Sequence, residues 1–253
     1  MARHRPRLVM LGVVAALVSA VIAAPAYAKT ARNYCCDWNA YGASSVVGAA
    51  TAAKPYQVAK GYTVYNYQNV NSSNVYSALQ VESLVLAGSH ANKGNMIFNN
   101  AGSCTCITSN FSYGSGHTHT IANWVTGAKT TFTCKGSYQI RSMPTSYGYG
   151  ASPCRLVMWM GCYTYGDPDG SGSKQSLTWA GYYEGITHNA GFVDEVYLDS
   201  WATDFSAGYW KSLAAGSYTN AAMDAGVSYV KSRHLNIAGG YDLHDYDGGN
   251  IKI

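Results

Sequence analysis

The sequence predicts a three-layer α/β sandwich built on a mostly parallel sheet, and three observations carry that reading. Short, wholly apolar runs closed by glycine occur twice, in Ser83 to Gly88 (SLVLAG) and in Leu156 to Met160 (LVMWM) before Gly161. Such runs mark strands buried on both faces, which belong in the middle of a sheet. Segments of helical periodicity alternate with them, most plainly Trp201, Phe205, Tyr209 and Leu213 on one stripe. Between Gly61 and Gly88 a strand, a helix and a strand follow one another, a βαβ unit whose strands run parallel with a right-handed crossover.

The chain opens with Arg3, Arg5 and Arg7, an apolar stretch from Leu8 to Ala23, and Ala26-Tyr27-Ala28, the small-x-small pattern read by signal peptidase. Residues 1–28 therefore read as a signal peptide and the protein as secreted and extracellular, with no membrane span after cleavage. Residues 29–56 carry Cys35, Cys36 and Pro55 without periodicity and read as an N-terminal arm or pro-segment. The remainder of 29–253 reads as a single domain, since removing 28 of 253 residues leaves 225, enough for one good core.

Within that domain Gly61 to Gln68 alternates as a strand, and Asn71 to Gln80 reads as a helix capped by Ser72 or Ser73. After the Ser83 to Gly88 strand, Asn95 to Asn99 suggests a small hairpin. Asn100 to Pro153 is loop-rich, with short strands around Thr130 to Thr133 and Tyr138 to Ile140; the Tyr/Gly segment Ser146 to Gly150 lies inside it. Asp167 to Lys174 is loop, Leu177, Ala180 and Tyr183 form a helix ended by Gly185, and Ala190 to Leu198 reads as a strand. Ser200 caps the Trp201 to Leu213 helix, Gly216 stops it, and a last helix runs from about Thr219 to Arg233 with Met223, Val227 and Val230 inside. The tail from His234 to Ile253 is Gly/Asp-rich with two short strand-like pieces.

Composition excludes more than it assigns. Removing three arginines takes Lys plus Arg from 17 to 14 against 13 acidic residues, so the net charge falls from +4 to about +1 and no nucleic-acid footprint remains. The seven cysteines all follow residue 28, and an oxidising compartment favours pairing. Six of them, Cys35, Cys36, Cys104, Cys106, Cys134 and Cys154, are expected to form disulfides in one of fifteen pairings, which leaves Cys162 free.

Cys162 and His90 form the candidate site. Each follows a strand-ending glycine, so two neighbouring parallel strands would deliver a thiol and an imidazole to the carboxyl rim, where α/β sheets bind ligands. A cysteine nucleophile needs such an imidazole to take its proton.

The blocks LVLAGSHANKG and LVMWMGCYTYG, with SLTWAGYYEGI, AGFVDEVYL and WATDFSAGYWKSLAAGSYTNAAMDA, resemble the caspase-like clan of cysteine peptidases, which includes caspases, gingipains, clostripain and legumains. The resemblance spans about Gly61 to Val230. It implies a caspase-like fold and a secreted cysteine endopeptidase, a hydrolase that cleaves peptide substrates through a thioester with Cys162 as nucleophile and His90 as proton carrier. It also implies an oxyanion hole from the backbone N–H groups of Cys162 and Ala91. The clan has Gly-His-Gly where this chain has Ser89-His90-Ala91, and the Gln-Ala-Cys signature of true caspases is absent. The other reading is therefore an inactive caspase-fold domain serving as a secreted binding or adhesion module.

Among the acidic residues Asp199, after the last predicted strand, is the candidate substrate-binding carboxylate for a basic P1 side chain. Cys104-x-Cys106 and His117-x-His119 could supply four zinc ligands, but their spacing matches no common finger and disulfides compete for the thiols. The expectation is no metal and no cofactor; calcium has no motif. Partners reduce to a protein or peptide substrate, without nucleic acid.

Overall fold

The two apolar runs occupy the middle of a parallel sheet. The computed structural model describes residues 29–100, 103–123, 126–143, 152–165, 175–193, 195–196, 199–234 and 250–253. In it β9 (Leu156–Met160) pairs in parallel with β3 (Leu84–Gly88), and β3 with β1 (Thr30–Cys35). The edges are β2 (Thr63–Tyr67) beside β1 and β10 (His188–Ala190) beside β9, giving the order β10-β9-β3-β1-β2. All residues of β3 and β9 are buried. The pleat divides them: Leu84, Leu86, Leu156, Met158 and Met160 face one layer, and Val85, Ala87, Val157 and Trp159 the other.

The first layer is helical. It holds α1 (Val47–Ala59), α4 (Ser200–Ala214) and α5 (Thr219–Arg233). Phe205, Tyr209 and Leu213 of α4 are fully buried there, as the stripe requires, and Met223 and Val230 of α5 join them. The opposite layer contains α2 (Ser72–Ala78), α3 (Leu177–Tyr183) and a second sheet. That sheet comprises β4 (Ala91–Asn92), β5 (Asn95–Asn100), β6 (Ser103–Thr108), β7 (Thr118–Ala122) and β8 (Lys129–Gln139) in the order β4-β5-β6-β8-β7. Only the β6–β8 pairing is parallel. The chain is thus an α/β sandwich with a parallel sheet and a second, mixed sheet.

Several expectations need correction. Residues 29–56 are not an arm: β1 lies inside the sheet and α1 packs on it, so β2 and β3 are parallel but separated by β1. Polar residues conceal this strand in the sequence. Asn33 is fully buried, and its amide exchanges hydrogen bonds with Gln57 (2.9 and 3.1 Å) and donates to Asn66 (2.9 Å), which satisfies a group that would otherwise be costly to bury. Ala190–Leu198 is not one strand; β10 ends at Ala190, and Phe192 turns its N–H to the Thr164 hydroxyl instead. The loop-rich stretch after Asn100 supplies most of the second sheet, with β8 a single long strand where two short ones were expected. Helix α2 is capped by Asn71, whose N–H donates to Asn74 Oδ1 (3.2 Å), not by Ser72 or Ser73.

All seven cysteines are unbridged, and the six expected in disulfides are fully buried. Cys35 and Cys36, adjacent on an extended segment, face opposite layers and so have no common partner. Residues 1–28, read above as a signal peptide, Ser146 to Gly150, Asp167 to Lys174 and the tail from 235 to 249 lie outside the described residues. Among the described residues no helix is long and apolar enough to cross a membrane.

Candidate active site

The chain leaves β3 and β9 at the same height. Gly88 is level with Met160, and the Ser89 N–H donates to the Met160 carbonyl (3.1 Å), which extends the pairing one residue past β3. Gly161 then passes so close that a Cβ there would stand 2.6 Å from the Ser89 carbonyl oxygen and 2.7 Å from the Ala91 methyl. Only glycine allows this approach. Beyond it Cys162 is followed by Tyr163 at φ 53°, a left-handed conformation that costs a bulky residue on the order of 1–3 kcal/mol. Thr164, fully buried, holds the turn: its hydroxyl lies 3.0 Å from the Trp159 carbonyl and 3.1 Å from that of Gly161, and it accepts the Phe192 N–H (3.0 Å).

His90 is held from the other side. Its Nε2 lies 3.1 Å from the Ser44 carbonyl oxygen. A carbonyl can only accept, so Nε2 carries the proton and Nδ1 is the ring's basic nitrogen. Burial pushes the imidazole down to about 4, against the Ser44 hydrogen bond and the Asp199 charge, which favour the protonated form. Near neutral pH the ring is therefore uncharged. The Trp38 indole meets it edge-on at 5.8 Å and donates its N–H to the buried Ser89 hydroxyl (2.9 Å), a use for the serine that stands where the clan has glycine.

His90 and Cys162 line one cavity of about 400 Å3. Ser44, Ala91, His119, Tyr163, Glu195 and Val196 share its wall. Cys162 is the only cysteine that is not fully buried, and its sulfur sits between the Val196 N–H (3.4 Å) and the Val196 carbonyl (3.6 Å). The Ile97 N–H donates to the His90 carbonyl (3.0 Å), which makes 90 and 97 the hydrogen-bonded pair of the hairpin. By the alternation of an antiparallel ladder, the next residue, Ala91, turns its N–H away from β5.

Asp199 is hydrogen-bonded to the backbone of Ser45. It is absent from the cavity wall; its Oδ1 accepts the Ser45 N–H (2.7 Å), and its own N–H donates to the Ser45 carbonyl (2.6 Å). It tethers the loop whose preceding carbonyl orients His90, and it does so at φ 61°. Among the described residues, the acidic one that lines the cavity is Glu195, which is exposed.

In the second sheet Cys106, Cys134 and His119 come together, with Cys104 paired to Cys134 across the strands, while His117 stacks on Tyr113 at 4.0 Å. Cys134, distant in sequence from the two motifs, was the residue missed. Ser44, Thr164 and Val196 were missed too, because two of them act through backbone groups and the third holds a turn.

No protein-family profile matches the chain, and no curated protein is significantly similar to it.

Proposed function

We propose that this chain is a cysteine endopeptidase of caspase-like fold, acting outside the cell, with His90 and Cys162 as its dyad. One observation carries the reading: the two side chains stand at the carboxyl ends of adjacent parallel strands and line the same cavity.

Cys162 Sγ adds to the scissile carbonyl carbon as its thiol proton passes to Nδ1 of His90, the nitrogen left basic by the Ser44 hydrogen bond. The carbonyl becomes an oxyanion, with the N–H groups of Cys162 and Ala91 as its donors. The imidazolium returns the proton to the leaving nitrogen, the C–N bond breaks and a thioester remains. Water then adds, His90 takes its proton, and collapse releases the acid and restores the thiol. During each transfer the Ser44 carbonyl and the Asp199 charge favour the transient imidazolium, which burial alone would resist. Glu195 on the cavity wall suits a basic side chain next to the cleaved bond.

The test uses short peptides that vary only at P1. Cys162→Ala is expected to lower cleavage by at least ~10⁴-fold with folding retained, and iodoacetamide to label Cys162 before any other cysteine. Undiminished cleavage by Cys162→Ala would overturn the mechanism.

A further inference from the structure

The second sheet assembles a donor set that the dyad does not use. Cys104 and Cys106 stand two apart on β6, so the pleat points both sulfurs to one face. β8 places Cys134 level with Cys104, and a bulge between Cys104 and Cys106 shifts the register from there on. β7, antiparallel to β8, brings His119 over the same group. The result is close. Cys106 Sγ lies 3.0 Å from His119 Nε2 and 3.1 Å from Cys134 Sγ, and the three ligand atoms all lie within 4.8 Å of one another. Cys104, fully buried, stands beside them as the strand partner of Cys134. Tyr113 and His117 pack edge-on against the His119 ring, at 5.1 and 4.8 Å between centroids, which limits its rotation.

We propose that Cys106, Cys134 and His119, with Cys104 as the fourth donor, bind one zinc ion. Three fully buried thiols gain little from meeting as weak S–H donors, whereas thiolates on a cation are neutralised where they stand. Zn–S bonds of about 2.3 Å put tetrahedral sulfurs about 3.8 Å apart, about 0.7 Å wider than the present contact. A disulfide between Cys106 and Cys134 would account for neither Cys104 nor His119. Because His119, Thr120, Ile121 and Ala122 form one wall of the cavity, the ion would anchor the strand that bounds it.

The experiment takes the full chain, reduced and stripped of metal, and titrates it with Co²⁺. One equivalent should give the visible bands of tetrahedral cobalt and the ultraviolet charge transfer of cobalt thiolate, both displaced by Zn²⁺. Cys162→Ala should leave this signal unchanged. Cys134→Ser should abolish it, and His119→Gln, at a half-buried position, should weaken binding by at least about tenfold while circular dichroism stays native. The proposal is overturned if folded wild type gives no tetrahedral spectrum, if the spectrum survives in Cys134→Ser, or if peptide mapping without reduction finds a Cys106–Cys134 disulfide. None of these readouts depends on whether His90 and Cys162 cleave peptides.

Discussion

His90 and His119 are both imidazoles pushed down to about 4 and both lie on the wall of one cavity, yet they are braced in opposite ways. Burial leads in each. For His90 a carbonyl and a carboxylate work against it, so the charged form of the ring is favoured by both. For His119 a second imidazole works with it, which suits a ligand that must keep its lone pair. The sulfurs differ in the same sense: Cys162 is partly open and sits against backbone, whereas Cys106 and Cys134 are closed off and touch each other. Proximity of cysteine and histidine is thus uninformative until the groups behind them are counted.

Acid should separate the two histidines most. The unfolded chain protonates His90 near 6.5 and the folded one near 4, so its contribution is complete above pH 6.5, falls as the pH drops between these values, and is lost below them. The loss should reach about 3 kcal/mol, and chemical denaturation of wild type against His90→Gln across that range measures it. Glu195, Cys162 and His119 share the cavity wall with the ring, and Asp199 is the charge that opposes the effect of its burial. The acid limb of kcat/KM should fall near pH 4. A limb near 6.5, or an equal acid sensitivity in His90→Gln, would remove the distinction between the two histidines.

The same contrast governs how much could be read in advance. β3 and β9 were legible because both faces are apolar, so neither period nor register has to be guessed, and the glycines that end them announce where His90 and Cys162 emerge. β1 was not, since the Asn33–Gln57–Asn66 amide network replaces apolar contacts on one of its faces. Cys104-x-Cys106 and His117-x-His119 were visible as motifs, but their true companion was not. Cys134 lies on a strand largely open to solvent, and it meets β6 across a bulge, a register that local pattern does not carry. The Ser44 carbonyl leaves no side-chain trace at all.

Glycine substitutions should have a smaller effect. Gly161→Ala would press a methyl against the Ser89 carbonyl and the Ala91 methyl, and should cost about 2 kcal/mol by denaturation and disturb the His90 segment. Gly114, in the loop between β6 and β7, has open space around it and no positive φ, so Gly114→Ala should be neutral or slightly stabilising. Adding Ala91→Gly to Gly161→Ala removes one of the two clashes and should restore part of the loss. Equal tolerance at 161 and 114 would mean that the two strand ends are not in contact.

The smallest predicted effect decides what Asp199 is for. Asp199→Asn keeps an oxygen for the Ser45 N–H and removes the charge, so the acid limb should move to lower pH while KM for basic substrates stays constant, because the charge that favours the imidazolium is gone. Asp199→Gly removes the oxygen as well but relieves the strain at φ 61°. The lost hydrogen bond, about 1 kcal/mol, and the relieved strain, about 1 kcal/mol, should nearly cancel in stability. What remains is the loosened Ser44 carbonyl. Poorer orientation of His90 should then lower kcat about tenfold with little change in KM. Glu195→Gln should do the reverse and raise KM for peptides with Arg or Lys at P1, since that carboxylate lines the cavity. A rise in KM confined to basic substrates in Asp199→Asn, with Glu195→Gln silent, would return Asp199 to substrate binding and leave His90 oriented by the Ser44 carbonyl alone.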